Sequence, residues 1–491
     1  MRIAFHFDAA AWGNLPARRA LETLAALLET PYRLCEPGVG GSAGEAHVHV
    51  GAAQTRPAHA AITILVEGWP AWLAATLERV VVAGEPLPCP PGTVASDADV
   101  THFPPEWLRA AAFSLAREEE SQDLRRDQWE CYSGAFTRVG PIGLLERPFI
   151  NHMAASLERR LEGYAAAQGQ SLERVPRWKD GARFAVALTH DVDDVTLRSF
   201  RTAWRLLRQA RSPNSYAFRG GMTAFVRALS RGSGASDPYW CFERWMSEEE
   251  RRGFRSSFYI CAPASSQRHE YDALYTFEDP LRYEGRRINV SELLREMHRR
   301  GHEVGLHGSY MSHSSPEELK RQRSQIEAAL GGPVSGLRQH FLRFGIGSTW
   351  AAQAAAGFAY DTTLGYNEAL GFRAGIAAPY QPWDAGSGEL YGPLQLPLTA
   401  MDGTLFRTLK LDAVNAVEKV SRHLEAVEEV GGLAVLLWHP NAADERSFPG
   451  WWASYLGILD CLRGRGAWVT SAGEIARWWA DRAARQGRIG S

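Results

Sequence analysis

Apolar positions along the chain fall into two textures. Through about residue 178, short apolar runs alternate with stretches of helical period. The runs are "MRIAFHF" (1–7), "AHVHVG" (46–51) and "AAITILV" (60–66); the helical stretches include "ARRALETLAALLE" (17–29) and "WPAWLAATLERVV" (69–81). "GEPLPCPPGT" (84–93) reads as a Pro/Gly loop, "PEWLRAAAFSLAREEE" (105–120) and "LERPFINHMAASLERRLEGYAAA" (145–167) as helices, and the polar "QGQSLERVPRWKDG" (168–181) as a linker. Beyond Gly181, the apolar segments "FAVALTHD" (184–191), "SSFYICA" (256–262), "HEVGLHG" (302–308), "SGLRQH" (335–340), "FAYDTTLG" (358–365) and "LAVLLWHP" (433–440) alternate with helices such as "NVSELLREMHRRG" (289–301) and "SPEELKRQRSQIEAALGG" (315–332). Strand then helix, repeated, predicts a parallel sheet or barrel preceded by a smaller α/β region.

In such folds chemistry gathers where strands end. Polar residues stand at those predicted ends: Asp191 and Asp193, His307, Arg338 and His340, Asp361, and His439. The stretch "FAVALTHDVDDV" (184–195) ends a buried run in three carboxylates and an imidazole. Such a group is costly to desolvate unless a cation compensates it. Side chains alternate along a strand, so Asp191 and Asp193 share a face, one suited to bind a metal and the other to act as a base. Asp194 is assigned to capping the helix expected over "VTLRSFRTAWRLLRQA" (195–210).

"RRGHEVGLHGSYMSH" (299–313) superficially suggests a zinc-protease helix, but Leu306 stands where the second histidine belongs and Gly305 weakens a helix. Read as a strand, it places His307 at the end and His302 on the opposite face, as a surface residue. "GGSAG" (40–44) fits both a nucleophile-elbow and a loose dinucleotide spelling, yet it precedes a strand, so it is read as loop. Trp451 and Trp452 are read as core, with sugar stacking as the alternative.

Composition narrows the rest. The chain has 491 residues with 45% hydrophobic and 11% aromatic, enough for two or three packed domains. A net charge of −2 gives no case for nucleic acid or an anionic membrane surface. No apolar run is long enough to span a membrane. Asp8 and Asn14 interrupt what a signal peptide would require, and the six cysteines are scattered, so a reducing, cytoplasmic location is expected.

"FAVALTHDVD", "GHEVGLHGSY", "GLRQHFLRF" followed by "TW", "GFAYDTTLGYNEALGFRAG", "LPLTAMDGTL" and "LLWHP" resemble, in order, the motifs of polysaccharide deacetylase-like (NodB-homology) proteins. The likeness is to the bacterial subgroup with a THDVD first motif and an N-terminal companion domain of unknown function; "AAAFSLAREEE" and "GLLERPFINHM" match that companion. The resemblance implies residues 1–178 as an α/β companion domain and 183–480 as a distorted (β/α) barrel of NodB type. It implies a metal-dependent carbohydrate deacetylase with Asp191 as base, Arg338 orienting it and His439 as acid. Asp193 and His307 would be metal ligands, and Trp350, Asp361, Arg373 and Asp402 would bind an acetylated saccharide. One divalent ion, best suited by zinc, is expected. The usual second motif carries another histidine four residues after the first, where this chain has Met311. His340 is favoured to fill the gap, because a strand end is held rigidly; His313 is the alternative, and loss of the metal is the third. A NodB-like binding module without catalysis and a C–N hydrolase acting on another small amide remain the competing functions.

Overall fold

The computed structural model describes residues 1–42, 44–66, 72, 76–96, 101–197, 203–204, 207–208, 221–222, 225–226, 237–263 and 269–487. In the N-terminal region, β1 (Arg2–Phe7), β2 (Tyr32–Cys35), β3 (Glu45–Gly51), β4 (Ile62–Leu65) and β7 (His102–Phe103) form a parallel sheet in the order β2-β1-β3-β4-β7. Helices Leu15–Leu27, Pro105–Leu115 and Phe149–Ala167 bury Leu21, Leu24, Trp107, Leu108, Ile150 and Leu157 in the core around it.

Two local expectations are overturned here. The end of the helix expected over 69–81 is a strand, β5 (Glu78–Val82), and the loop expected from 84 opens with β6 (Glu85–Cys89); the two form an antiparallel hairpin. Ala83 and Gly84 carry φ of +50° and +82°, the two left-handed residues of a tight hairpin turn. The β-branched run Val80–Val82 outweighs the helical period, and Pro86 and Pro88 are tolerated because a two-stranded hairpin has free edges. Of the expected helix, residues 69–71 and 73–75 lie outside the described residues, as do most of 195–210, the helix assigned to Asp194's cap.

Among the described residues the larger sheet has nine strands, all paired in parallel. They are β8 (Phe184–Val192), β9 (Ser257–Cys261), β12 (Glu303–Gly308), β13 (Gly336–Gln339), β14 (Tyr360–Asp361), β15 (Leu394–Gln395), β16 (Ala400–Met401), β17 (Leu433–Leu437) and β18 (Ala467–Thr470). A separate hairpin, β10 (Pro280–Tyr283) and β11 (Arg286–Asn289), lies between β9 and β12 in sequence. The order is β15-β14-β13-β12-β9-β8-β17-β16, with β18 also on β8. Strand β8 pairs with β18 over Phe184–Ala187 and with β9 over Thr189–Val192, so its neighbour changes midway. The result is a curled half-barrel, consistent with the parallel sheet or barrel that the strand–helix alternation predicts and the distorted (β/α) barrel that the resemblance implies. All nine residues of β8 are buried. The helices start on strong caps: Asn289 makes a capping box with Glu292, and Ser315 precedes Pro316.

The stretch read as a linker is pinned. The Arg177 guanidinium donates to the Val430 carbonyl at 2.6 Å and the Leu27 carbonyl at 2.6 Å, and the Trp178 indole donates to Gly431 at 2.7 Å. One apolar cluster runs through both sheets. Asn151 bonds both backbone groups of Ala377, at 2.8 and 3.2 Å. No helix among the described residues is long and apolar enough to cross a membrane.

Candidate functional site

Parallel pairing brings the C-terminal ends of the strands to one rim. His307 on β12 lies in register with Cys261 on β9 and with Arg338 on β13, while Asp191 on β8 is opposite Tyr259. Asp193 lies one residue past β8, His340 one past β13, His439 two past β17, and Asp402 one past β16.

Asp193 is the hub. Three imidazole Nε2 atoms face its carboxylate: His307 at 3.3 Å and His340 at 3.5 Å from Oδ1, and His439 at 3.7 Å from Oδ2. Its Oδ1 is buried with no hydrogen-bond partner among the described residues. The spacing bears on a metal. Two ligands each about 2.0–2.2 Å from one tetrahedral cation lie roughly 3.3–3.6 Å apart. His307 Nδ1 lies 3.0 Å from the Arg338 carbonyl, which only accepts, so Nδ1 carries the proton and Nε2 presents its lone pair to the rim. Asp193, His307 and one further donor therefore fit a divalent cation.

Asp191 is held differently. Arg338 Nη1 donates to Asp191 Oδ1 at 2.9 Å and to Thr189 Oγ1 at 2.9 Å, and its Nε donates to the Thr362 carbonyl at 3.2 Å. The guanidinium stacks over Tyr259, 4.8 Å from the ring centre. Asp191 Oδ2 accepts no hydrogen bond among the described residues and lies 3.8 Å from His307 Nε2. His439 has its own brace: Nδ1 meets Asp402 Oδ1 at 2.8 Å, and its backbone N–H donates to Oδ2 at 2.8 Å. Burial alone would lower the His439 pKa, but Asp402, and then Asp193 and Asp191, outweigh it and raise it to about 9. Burial likewise opposes ionisation of Asp193, yet the three histidines hold its carboxyl well below the usual range.

Several expected site residues lie elsewhere. Trp350 is fully buried, its indole donating to Gln395 Oε1 at 2.9 Å with Tyr391 stacked on it. Arg373 is buried in a two-pronged pair with Glu120 at 2.9 and 2.6 Å. Asp361 is buried under Gln353, at 2.9 Å, and Thr363; burial pushes its carboxyl up to about 6. All four side chains are buried, and Asp402 lies directly against His439.

His302, expected at the surface, is buried against Ser256, Glu249 and Glu250. His313 makes no contact with Asp193 among the described residues, and burial, reinforced by the Arg343 charge, lowers its pKa to about 4. Trp451 and Trp452 are buried core, Trp451 stacked on Phe406. Sequence reasoning missed Cys261. Its thiol and atoms of Asp193 and His307 all lie within 4.8 Å of one another, so it too can serve a cation. The available signal was its place at the end of an apolar run, like every other rim residue.

No family profile matches the sequence, and no curated protein matches it. Solved structures are similar to it at low identity. A Mycobacterium smegmatis protein assigned as a polysaccharide deacetylase is 20% identical, covering 62% of this chain and 93% of its own, with a TM-score of 0.41. A polysaccharide deacetylase from Bacillus cereus is 12% identical over 59% of this chain and 91% of its own, with a TM-score of 0.28. A carbohydrate esterase family 4 pseudoenzyme from Bacillus anthracis is 12% identical over 60% and 65%, with a TM-score of 0.30.

Proposed function

We propose that the chain is a metal-dependent hydrolase that removes acetyl groups from an amino sugar or polysaccharide, with residues 183–480 as the catalytic domain and 1–178 as its companion. One observation carries the reading: a carboxylate whose buried oxygen has no hydrogen-bond partner among the described residues faces three imidazole nitrogens at 3.3–3.7 Å, beside a second carboxylate fixed by arginine. Asp193, His307 and His340 are taken as the ligands, with Cys261 as the alternative third donor, and zinc suits either set. A bound divalent cation supplies Lewis acidity, making water more acidic and polarising the acyl oxygen.

The chain's own residues do the rest. Asp191 accepts the proton of the attacking water on Oδ2, while Arg338 holds Oδ1 and so fixes the angle of the other oxygen. Asp402 keeps the proton of His439 on Nδ1 and orients the ring, so Nε2–H is the group that protonates the departing nitrogen. Without that proton an amine anion would have to leave.

The reading is tested by acetate release from chito-oligosaccharides and acetylated xylan by purified protein, with and without chelator. Chelator-sensitive release supports it. Release that persists in the metal-free protein sinks the metal, and acetate from neither substrate together with turnover of a small cyclic amide would favour a different C–N hydrolase.

A further inference from the structure

A loop from the N-terminal region, Asp127 to Cys131, packs on the two segments that leave β12 and β13 beside the site. It is braced from within. Asp127 Oδ1 accepts from the backbone N–H of Trp129 at 2.8 Å and of Cys131 at 2.9 Å, and the Asp127 N–H donates to the Cys131 carbonyl at 2.9 Å. The Trp129 ring stacks on Phe341, with centroids 5.0 Å apart and planes 29° apart. Its carbonyl accepts the Tyr310 hydroxyl at 3.0 Å, and Cys131 Sγ donates to the Phe341 carbonyl at 3.1 Å. Burial pushes that thiol up to about 12, so it remains a donor. Glu130 pairs with Arg343, which also donates to the Tyr310 carbonyl at 3.0 Å.

These contacts close on a strained turn. Phe341 and Leu342 both sit at positive φ, +59° and +55°, a region where a side chain crowds the backbone. Strain of this kind persists only where the surroundings impose it. His340 immediately precedes the turn, with its ring 4.6 Å from that of Phe341 and its Nε2 3.5 Å from Asp193 Oδ1.

We propose that the loop Asp127 to Cys131 is the positioning element for His340, so that the N-terminal region sets the geometry of a metal site it does not enter. The inference rests on His340 being a ligand. Residues that orient a ligand typically change metal affinity when removed, whereas general packing residues change stability.

Zinc affinity is measured by competition with a chromophoric chelator on the full-length protein. The variants are Trp129→Ala, Trp129→Phe, Cys131→Ala, His340→Ala and the double variant Trp129→Ala/His340→Ala. Trp129→Ala is expected to weaken zinc binding on the order of 10–100-fold, and Trp129→Phe to restore most of it. Cys131→Ala shifts it the same way by less, and it carries the test if Trp129→Ala does not fold. In the His340→Ala background, Trp129→Ala costs nothing further, the signature of one coupled unit. Unchanged affinity in both loop variants, or a fully additive double variant, overturns the inference and leaves the ligand assignment standing. Unchanged affinity in His340→Ala overturns the assignment itself.

Discussion

Two clusters of histidine and carboxylate lie back to back across β8, reached by adjacent residues on opposite faces of one strand. On one face, His190 Nδ1 meets the Trp438 carbonyl at 2.8 Å and Nε2 meets Glu249 at 2.8 Å. Glu249 also accepts from Tyr455 and Ser256, both at 2.6 Å, and His302 is satisfied by Ser256 and Glu250. Every polar side-chain atom of that cluster has a partner. Burial pushes Glu249 up, but His190 and His302 outweigh it and hold its carboxyl below the ordinary range. On the other face, Asp193 Oδ1 and Arg338 Nη2 have no hydrogen-bond partner among the described residues, and the nitrogens facing Asp193 stand at 3.3–3.7 Å. Residue type does not distinguish the clusters. What separates them is completeness: one closes on itself as structure, and the other converges on a point that a cation would fill.

The largest effect should come from the open cluster. Asp191→Asn keeps the metal and the fold but removes the proton acceptor, so activity should fall about 10²–10⁴-fold. Asp193→Asn should instead lose metal and recover part of its activity at high zinc. Assaying both across a zinc titration separates base from ligand; rescue of Asp191→Asn alone would reverse the two roles.

The closed cluster should answer in stability. Glu249→Ala leaves buried His190 without its carboxylate and Tyr455 and Ser256 without their acceptor, a loss of about 3–5 kcal/mol in urea unfolding. Zinc affinity of the protein that remains folded should be unchanged. A metal-free but equally stable Glu249→Ala protein would erase the distinction drawn between the clusters.

A second closed group lies between the two sheets. Arg117 donates to Glu120 at 2.7 Å, and Arg373 holds the same carboxylate from the barrel side. Burial opposes the charge, but Arg373 and Arg117 lower the Glu120 pKa from 4.5 to about 2. A depressed carboxyl stabilises the fold in full above its unfolded value. That contribution is therefore lost as pH falls below the ordinary carboxylate range, about 4.5. Unfolding free energies measured through this window should fall more steeply in the wild type than in Glu120→Gln; equal slopes would mean that the group is not held ionised.

The rim was legible because two simple rules combine there: side chains alternate along a strand, and parallel strands end together. Those rules place Asp191, Asp193, His307, Arg338, His340 and His439 at strand ends, and Asp361 with them, whose side chain is instead buried against Gln353. Alternation, however, tells which face a side chain takes and not what covers that face. His302 was misread for this reason, since Glu249 and Glu250 on the helix Phe242–Glu250 come down over it. Arg373 meets a carboxylate 253 positions away, a pairing no local pattern encodes. Cys261 was obscured by counting cysteines rather than asking where each one stands.

The smallest effect is expected at His313, and it bears on the one ligand that the sequence left open. Both candidate histidines follow strand ends and either could have replaced the ligand absent at Met311. His340 is held one residue past β13 with its Nε2 3.5 Å from Asp193 Oδ1. His313 sits on the short turn Ser312–Ser314, and its buried Nδ1 has no hydrogen-bond partner among the described residues. Burial, reinforced by the Arg343 charge, lowers its pKa to about 4, so the ring is neutral at ordinary pH and contributes no charge to the rim. His313→Ala should therefore leave zinc affinity unchanged. His340→Ala should weaken it by at least the roughly 10–100-fold that loss of a merely supporting partner costs. Side-by-side titration of the two variants decides the matter: a site emptied by His313→Ala and left intact by His340→Ala would make the loop histidine the third ligand and require the turn to swing in over the rim.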